Sequence, residues 1–137
     1  MNKSEILKFL NANPTCYLAT VDGKQPRVRA IGMFRADENG IIIETGTFKD
    51  MYKQMVDNPN VELCFYDNEA GVQIRVSGAV EPVDDIELKK EIVAKRPFLK
   101  KRVAEGGYEA MGVFRLKGKA YVWSFQTSAE PKKYVPL

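Results

Sequence analysis

Arg27 and Arg29 lie two apart in Pro26-Arg27-Val28-Arg29, a spacing that on a β-strand sends both guanidinium groups off one face. Two neighbouring guanidiniums repel unless carboxylates or an anion sit between them, and their forked donors match phosphate oxygens two at a time. The plainer reading is an exposed polar face paired with Glu44 or a similar acid. Val28 and Ala30 alternate with the arginines and are expected to face the core. Further on, Thr45-Gly46-Thr47 leads from a strand into a helix, with hydroxyls and a glycine where a phosphate would arrive. Lys49 and Lys53 follow as an i, i+4 pair on one helix face near that start. A helix N-terminus presents unpaired N–H groups and the positive end of the macrodipole to an anion. Lysines there oppose the dipole slightly, and a bound phosphate reverses the sign of that effect. The two arginines, Thr45 and the two lysines together predict one local anion site.

Other chemistry is excluded by composition. The chain has no histidine, which removes Ser-His-Asp and Cys-His catalysis and H-E-x-x-H zinc chemistry. Cys16 and Cys64 stand far apart, in no C-x-x-C arrangement, and read as small buried hydrophobes in a reducing compartment; no metal site is expected. Asp37-Glu38-Asn39-Gly40 superficially resembles a calcium loop but lacks the later ligands, so it reads as a turn. Neither a Walker motif nor a dinucleotide glycine motif is present. With 21 basic and 18 acidic residues the net charge is +3, too small an excess for the usual nucleic-acid footprint. A nucleic-acid-binding barrel using Arg27, Arg29, Arg75 and Lys100-Lys101-Arg102 is therefore the weak alternative, and the last run reads as a solvated face. The chain turns amphipathic at once after Met1 and has no apolar run of membrane length, so a cytoplasmic protein without membrane contact is expected.

The 137 residues, 45% of them hydrophobic, suit a single domain spanning 1–137. Ile6, Leu7, Phe9 and Leu10 have helical spacing, with Asn2 or Ser4 as cap and Asn13-Pro14 as stop. Strands follow at 16–21, 27–35 and 41–45, separated by the turns at Asp22-Gly23 and Asp37–Gly40. Thr47 and Asp50 stand in capping-box relation before the stripe Phe48, Met51, Tyr52, Met55 and Val56, which Asn58-Pro59 ends. Strands at 61–66 and 72–80 precede a third helix that starts at Asp84. Glu87 completes its box and Val83 with Leu88 its staple. It runs to Arg96-Pro97, a basic segment at 98–103 continues, and strands at 111–116 and 120–125 lead to a polar tail. Hairpin-length connections rule out a doubly wound parallel sheet. The expected fold is mainly β: a six- to seven-stranded antiparallel barrel with flanking helices. Its interior is filled by side chains, so a sizeable ligand binds outside or between subunits. Most aromatic residues sit at core-like positions; Tyr121, Trp123 and Phe125 on one strand face suit the core, an interface or a planar ligand.

Tyr17–Arg29 (YLATVDGKQPRVR), Glu44–Pro59 (ETGTFKDMYKQM…NP) and Gln73–Val80 (QIRVSGAV) resemble the pyridoxamine 5′-phosphate oxidase-like FMN-binding split-barrel proteins, especially the small Nim-type and general-stress-protein members. The likeness runs over the whole chain in the element order read above. It implies a split barrel, a homodimer and two FMN sites at the dimer interface. By position, it places phosphate-binding basic residues at Arg27 or Arg29 and at Lys49 and Lys53, a cofactor contact at Thr45, and Gln73 at the isoalloxazine edge. FMN would then carry the electron chemistry, with NADH or NADPH as reductant, a small acceptor, and solvent or Tyr52 as proton source. Carriage or sensing of a flavin, deazaflavin or haem without turnover is the alternative, served by the same anchoring residues. The chain departs from the family in three ways. It shows no counterpart of the longer C-terminal segment of true pyridoxamine 5′-phosphate oxidases, nor of the histidine linked to function in several Nim proteins. It carries Glu44-Thr45-Gly46 where close relatives have Cys-Thr. Vitamin oxidation and nitroimidazole reduction are accordingly not expected.

Overall fold

The computed structural model describes residues Met1–Leu137. Helix α1 (Lys3–Ala12) is capped by Asn2, whose side chain accepts from Glu5 N at 2.9 Å while Asn2 N donates to Glu5 Oε1 at 3.2 Å. This reciprocal box satisfies two end donors, and the helix buries Ile6, Leu7 and Leu10. Hairpin β1 (Thr15–Asp22) to β2 (Gln25–Gly32) turns at Gly23, whose φ of 62° suits glycine. Then come β3 (Arg35–Asp37), β4 (Gly40–Gly46), α2 (Asp50–Asp57), β5 (Asn60–Asp67) and β6 (Val72–Pro82). Helices α3 (Ile86–Lys95) and α4 (Lys100–Gly106), joined by a 3₁₀ turn at Pro97–Leu99, precede β7 (Met111–Leu116), β8 (Lys119–Trp123) and β9 (Tyr134–Pro136).

All pairings are antiparallel, and the main path runs β2-β1-β5-β6-β7-β4-β3, with β8 beside β6 and β9 beside β8. The two edges of that path, β2 and β3, are consecutive in the chain with only Met33 and Phe34 between them. The sheet therefore curls until its edges meet through the backbone, which makes a split barrel. The stretch 27–35, expected as one strand, is thus broken at Met33-Phe34 and supplies both edges. The tail, expected to be polar and irregular, contributes β9.

Leu18, Leu63, Phe65, Ile74, Val76 and Phe114 fill the interior, with Ile6 and Leu10 from α1 and Met51 and Met55 from α2 packed on the same core. A second cluster lies outside the barrel wall, where Ile42, Met111 and Val113 meet Leu88, Ile92, Val93 and Leu99 of the α3–α4 layer. Burying two such patches is what leaves helices on an otherwise β molecule.

Several local expectations are corrected. Val28 is 70% exposed and Ala30 is exposed as well, because the alternate face of β2, with Arg29 and Ile31, is the one turned toward the interior. The cap of α2 is Lys49, with no side-chain hydrogen bond, so the Thr47–Asp50 box does not form. The cap of α3 is Asp85, not Asp84; its carboxylate accepts from Glu87 N at 3.0 Å and Leu88 N at 3.2 Å. The basic segment at 98–103 folds into the 3₁₀ turn and α4, and its Arg102 is not solvated but paired to Glu44. Tyr17, Phe48 and Tyr66, in strands and a helix stripe where core positions were expected, are exposed.

Candidate functional site

The anion site predicted from spacing centres on the junction of β4 and α2. Thr45, the penultimate residue of β4, is only 3% exposed, and its Oγ1 has no hydrogen-bond partner. A buried hydroxyl without a partner costs about 1–3 kcal/mol, so it marks a place where an acceptor or donor belongs. Beyond it, Thr47 N donates to Ala110 O at 3.0 Å and Lys49 N to Gly46 O at 3.1 Å, which fixes the turn into the helix. The first-turn amides of α2 at Asp50 and Met51 find no acceptor in the chain. Gly112 lets this helix lie close: a Cβ there would stand 2.6 Å from a ring carbon of Tyr52 and 3.3 Å from Thr45 O. Lys49 and Lys53 are exposed and enter no ion pair, leaving both ammonium groups available to an anion.

The two arginines are differently engaged. Arg29 Nη1 donates to Thr20 Oγ1 at 2.7 Å and Leu18 O at 3.3 Å, and its Nη2 to Gln54 Oε1 at 2.6 Å. It thereby clamps β1 and β2 to the far end of α2. Partial burial, followed by the charge of Arg27, lowers its pKa, and Asp50 opposes that. Arg27 pairs with Asp22, Nε to Oδ2 at 3.2 Å, in an exposed position where such pairs are weak. Neither arginine pairs with Glu44, the acid expected as partner; Glu44 is held by Arg102. Unassigned donors thus remain at Thr45, Lys49, Lys53 and the first turn of α2, whereas Arg27 is paired to Asp22 and Arg29 to Thr20 and Gln54.

Gln73 lies elsewhere. It projects from the outer face of β6 into a cavity of 330 Å³ shared with Arg75, Tyr121, Trp123, Ser128 and Lys132. The same outer face carries exposed Tyr17 and Val28 on β1 and β2, Tyr66 on β5 and Tyr134 on β9. The predicted residues thus fall in two separate places, the β4–α2 junction and a sheet face rich in uncovered aromatic surface. Arg75, Trp123 and Lys132 were absent from the predicted site. The Gln73-x-Arg75 spacing carries the same one-face signal as Arg27-x-Arg29, whereas only the folded tail brings Lys132 alongside.

Both cysteines are free thiols; Cys16 is buried as expected, whereas Cys64 is only half-buried. Burial pushes the Cys16 thiol up to about 12, and burial also raises Cys64 in spite of nearby Arg75. No helix is long and apolar enough to cross a membrane.

The family model for pyridoxamine 5′-phosphate oxidase matches residues 3–123. The chain belongs to that family. The pyridoxine/pyridoxamine 5′-phosphate oxidase of Maricaulis maris (strain MCS10) is 39% identical over 67 residues, 48% of this chain and 30% of that enzyme. The chain thus spans under a third of that curated relative's length. A NimC/NimA family protein of Clostridium acetobutylicum superposes with a TM-score of 0.78 at 31% identity, over 98% of this chain and 92% of that one. A pyridoxamine 5′-phosphate oxidase-related FMN-binding protein of Nostoc punctiforme PCC 73102 gives 0.67 at 18% identity, over 96% and 88%. The split barrel is accordingly the fold of this family, and the expected fold class holds.

Proposed function

We propose that this chain is an FMN-dependent oxidoreductase that works as a homodimer on a small acceptor. The observation that carries the reading is the buried, unpartnered hydroxyl of Thr45 beneath an uncapped helix start, in a member of a family with an FMN-binding relative. Thr45, the open amides of α2, Lys49 and Lys53 are the residues to hold the FMN phosphate, with Arg27 and Arg29 flanking it. Charge-assisted hydrogen bonds of this kind are short and about twice as strong as neutral ones. Gln73 belongs to the second half-site and reaches the isoalloxazine edge of the flavin bound by the other protomer. That arrangement explains why one chain carries phosphate donors and Gln73 in separate places, and why the outer sheet face is aromatic and uncovered. Bound FMN supplies two-electron chemistry, fed by NADH or NADPH; the chain's residues bind it, orient it and exclude water. Tyr52, fixed against Gly112 and 5.7 Å from the Phe114 ring, or solvent, is the proton source. The setting is cytoplasmic.

The test is spectroscopic. Purified protein mixed with FMN should bind it with micromolar or tighter affinity, bind riboflavin far more weakly, and bleach rapidly on adding NADH or NADPH. Tight binding with no reductive phase would replace turnover by carriage or sensing. No binding of FMN removes the reading.

A further inference from the structure

The cavity around Gln73 has a chemistry of its own. Arg75 and Lys132 both line it, neither forms an ion pair, and no carboxylate is among its lining residues. Arg75 Nε is buried with no hydrogen-bond partner. The guanidinium lies 5.1 Å from the Tyr121 ring centroid and the Lys132 ammonium 5.5 Å from it. Stacking on a ring face lowers the cost of holding these charges but leaves their N–H donors unfilled. Glu130, close by in sequence, lines a neighbouring cavity instead. Two unpaired cations, the neutral hydrogen-bonding groups of Gln73 and Ser128, and the aromatic walls of Tyr121 and Trp123 therefore surround 330 Å³.

We propose that this cavity is a subsite for a planar aromatic carboxylate. The carboxylate accepts two parallel hydrogen bonds from the Arg75 fork and is neutralised by Lys132, while the ring lies against Trp123. The inference concerns binding of the acid and needs no flavin; it rests on the flavin reading only in placing the bound acid near the cofactor's edge.

The full chain, with and without FMN, would be titrated with 2-naphthoate and with neutral 2-naphthamide. Calorimetry reads affinity, and the single tryptophan gives one indole N–H NMR signal that reports on Trp123 alone. The expected result is saturable 2-naphthoate binding that shifts this signal, at least tenfold tighter than 2-naphthamide. Arg75→Gln should lower 2-naphthoate affinity tenfold or more and leave 2-naphthamide unchanged. Lys132→Gln, on the exposed tail, should lower it severalfold and serves if the first variant does not fold. Equal affinity for acid and amide, an unmoved indole signal, or tighter binding of phenyl phosphate than of 2-naphthoate overturns the proposal. Lys49→Ala should weaken FMN and spare 2-naphthoate. If the parent binds 2-naphthoate but not FMN, the flavin reading fails and this one stands.

Discussion

Arg102 Nη1 donates to both carboxylate oxygens of Glu44, at 3.0 and 2.8 Å, and the Glu44 side chain is 4% exposed. The pair ties β4, one residue before Thr45, to α4 of the outer helical layer. Burial raises the pKa of Glu44, and the charges of Arg102, Arg96 and Lys49 oppose that without overcoming it. A buried ion pair of this type contributes position more surely than net stability. Here the position it holds is the approach to the anion corner.

Arg102→Ala should cost about 3 kcal/mol in urea unfolding at neutral pH, because it leaves a buried carboxylate without its partner. Glu44→Gln with Arg102→Met should recover most of that loss. The cost of Arg102→Ala should shrink as pH falls, since the stranded carboxyl then takes up a proton. In the parent chain the folded state holds the Glu44 proton more tightly than the unfolded state. Its contribution is therefore full below the ordinary value of 4.5 and is lost as pH rises through the raised folded value. A deficit that stays constant with pH would show that Glu44 is not the group left stranded.

Thr45→Val separates folding from binding. The hydroxyl has no partner in the chain, so its replacement by a methyl should leave stability unchanged or raise it by about 1 kcal/mol. FMN affinity should nonetheless fall about fivefold to tenfold. Calorimetric unfolding and FMN titration of the same sample check both signs, and a loss in both would mean that Thr45 is structural.

Lys49→Ala and Lys53→Ala each remove an ammonium that no acid holds, so each should weaken FMN by about 1.5–3 kcal/mol and riboflavin hardly at all. Arg27→Ala should weaken FMN less, because that guanidinium must leave Asp22 to reach a phosphate. Equal losses for FMN and riboflavin would move the phosphate away from this corner.

Arg29→Gln should instead act on the fold. It deletes bonds to Thr20 and Gln54 that join the barrel to α2, and a loss of about 1–3 kcal/mol is expected in denaturant titration. Arg29→Lys should not rescue it, since a single ammonium cannot reproduce the fork.

Element order was legible in the sequence because turn residues and apolar periodicity agree along most of the chain. The end of β4 after Thr45 and the nearby start of α2 were legible for the same reason: strand end, glycine and helix start are local signals. The facing of β2 was not. Arg-Val-Arg-Ala-Ile alternates polar and apolar residues in a way that puts Val28 inside by composition, yet Arg29 reaches partners at Thr20 and Gln54 while Ile31 packs inward. A strand whose outer face awaits another surface carries apolar residues on both sides, and periodicity alone cannot rank them. Arg102 was hidden likewise, because its partner is 58 residues away and only the fold joins them.

That uncovered face is where assembly is tested. Tyr17 opposes Ala30, and Ala19 opposes Val28, on the outer side of β1 and β2, and Tyr17 and Val28 are 52% and 70% exposed. Covering such side chains removes about 25 cal/mol per Å² of apolar area from water, whereas a carboxylate placed there must be desolvated on association. On the proposed homodimer, Val28→Asp and Tyr17→Asp should therefore shift the sedimentation equilibrium from dimer to monomer while leaving the circular dichroism unchanged. FMN affinity should fall together with dimerisation, because Gln73 of the second half-site is lost although Thr45, Lys49 and Lys53 are intact. A protein that stays dimeric with both carboxylates in place would locate the seam on another face and separate Gln73 from the flavin.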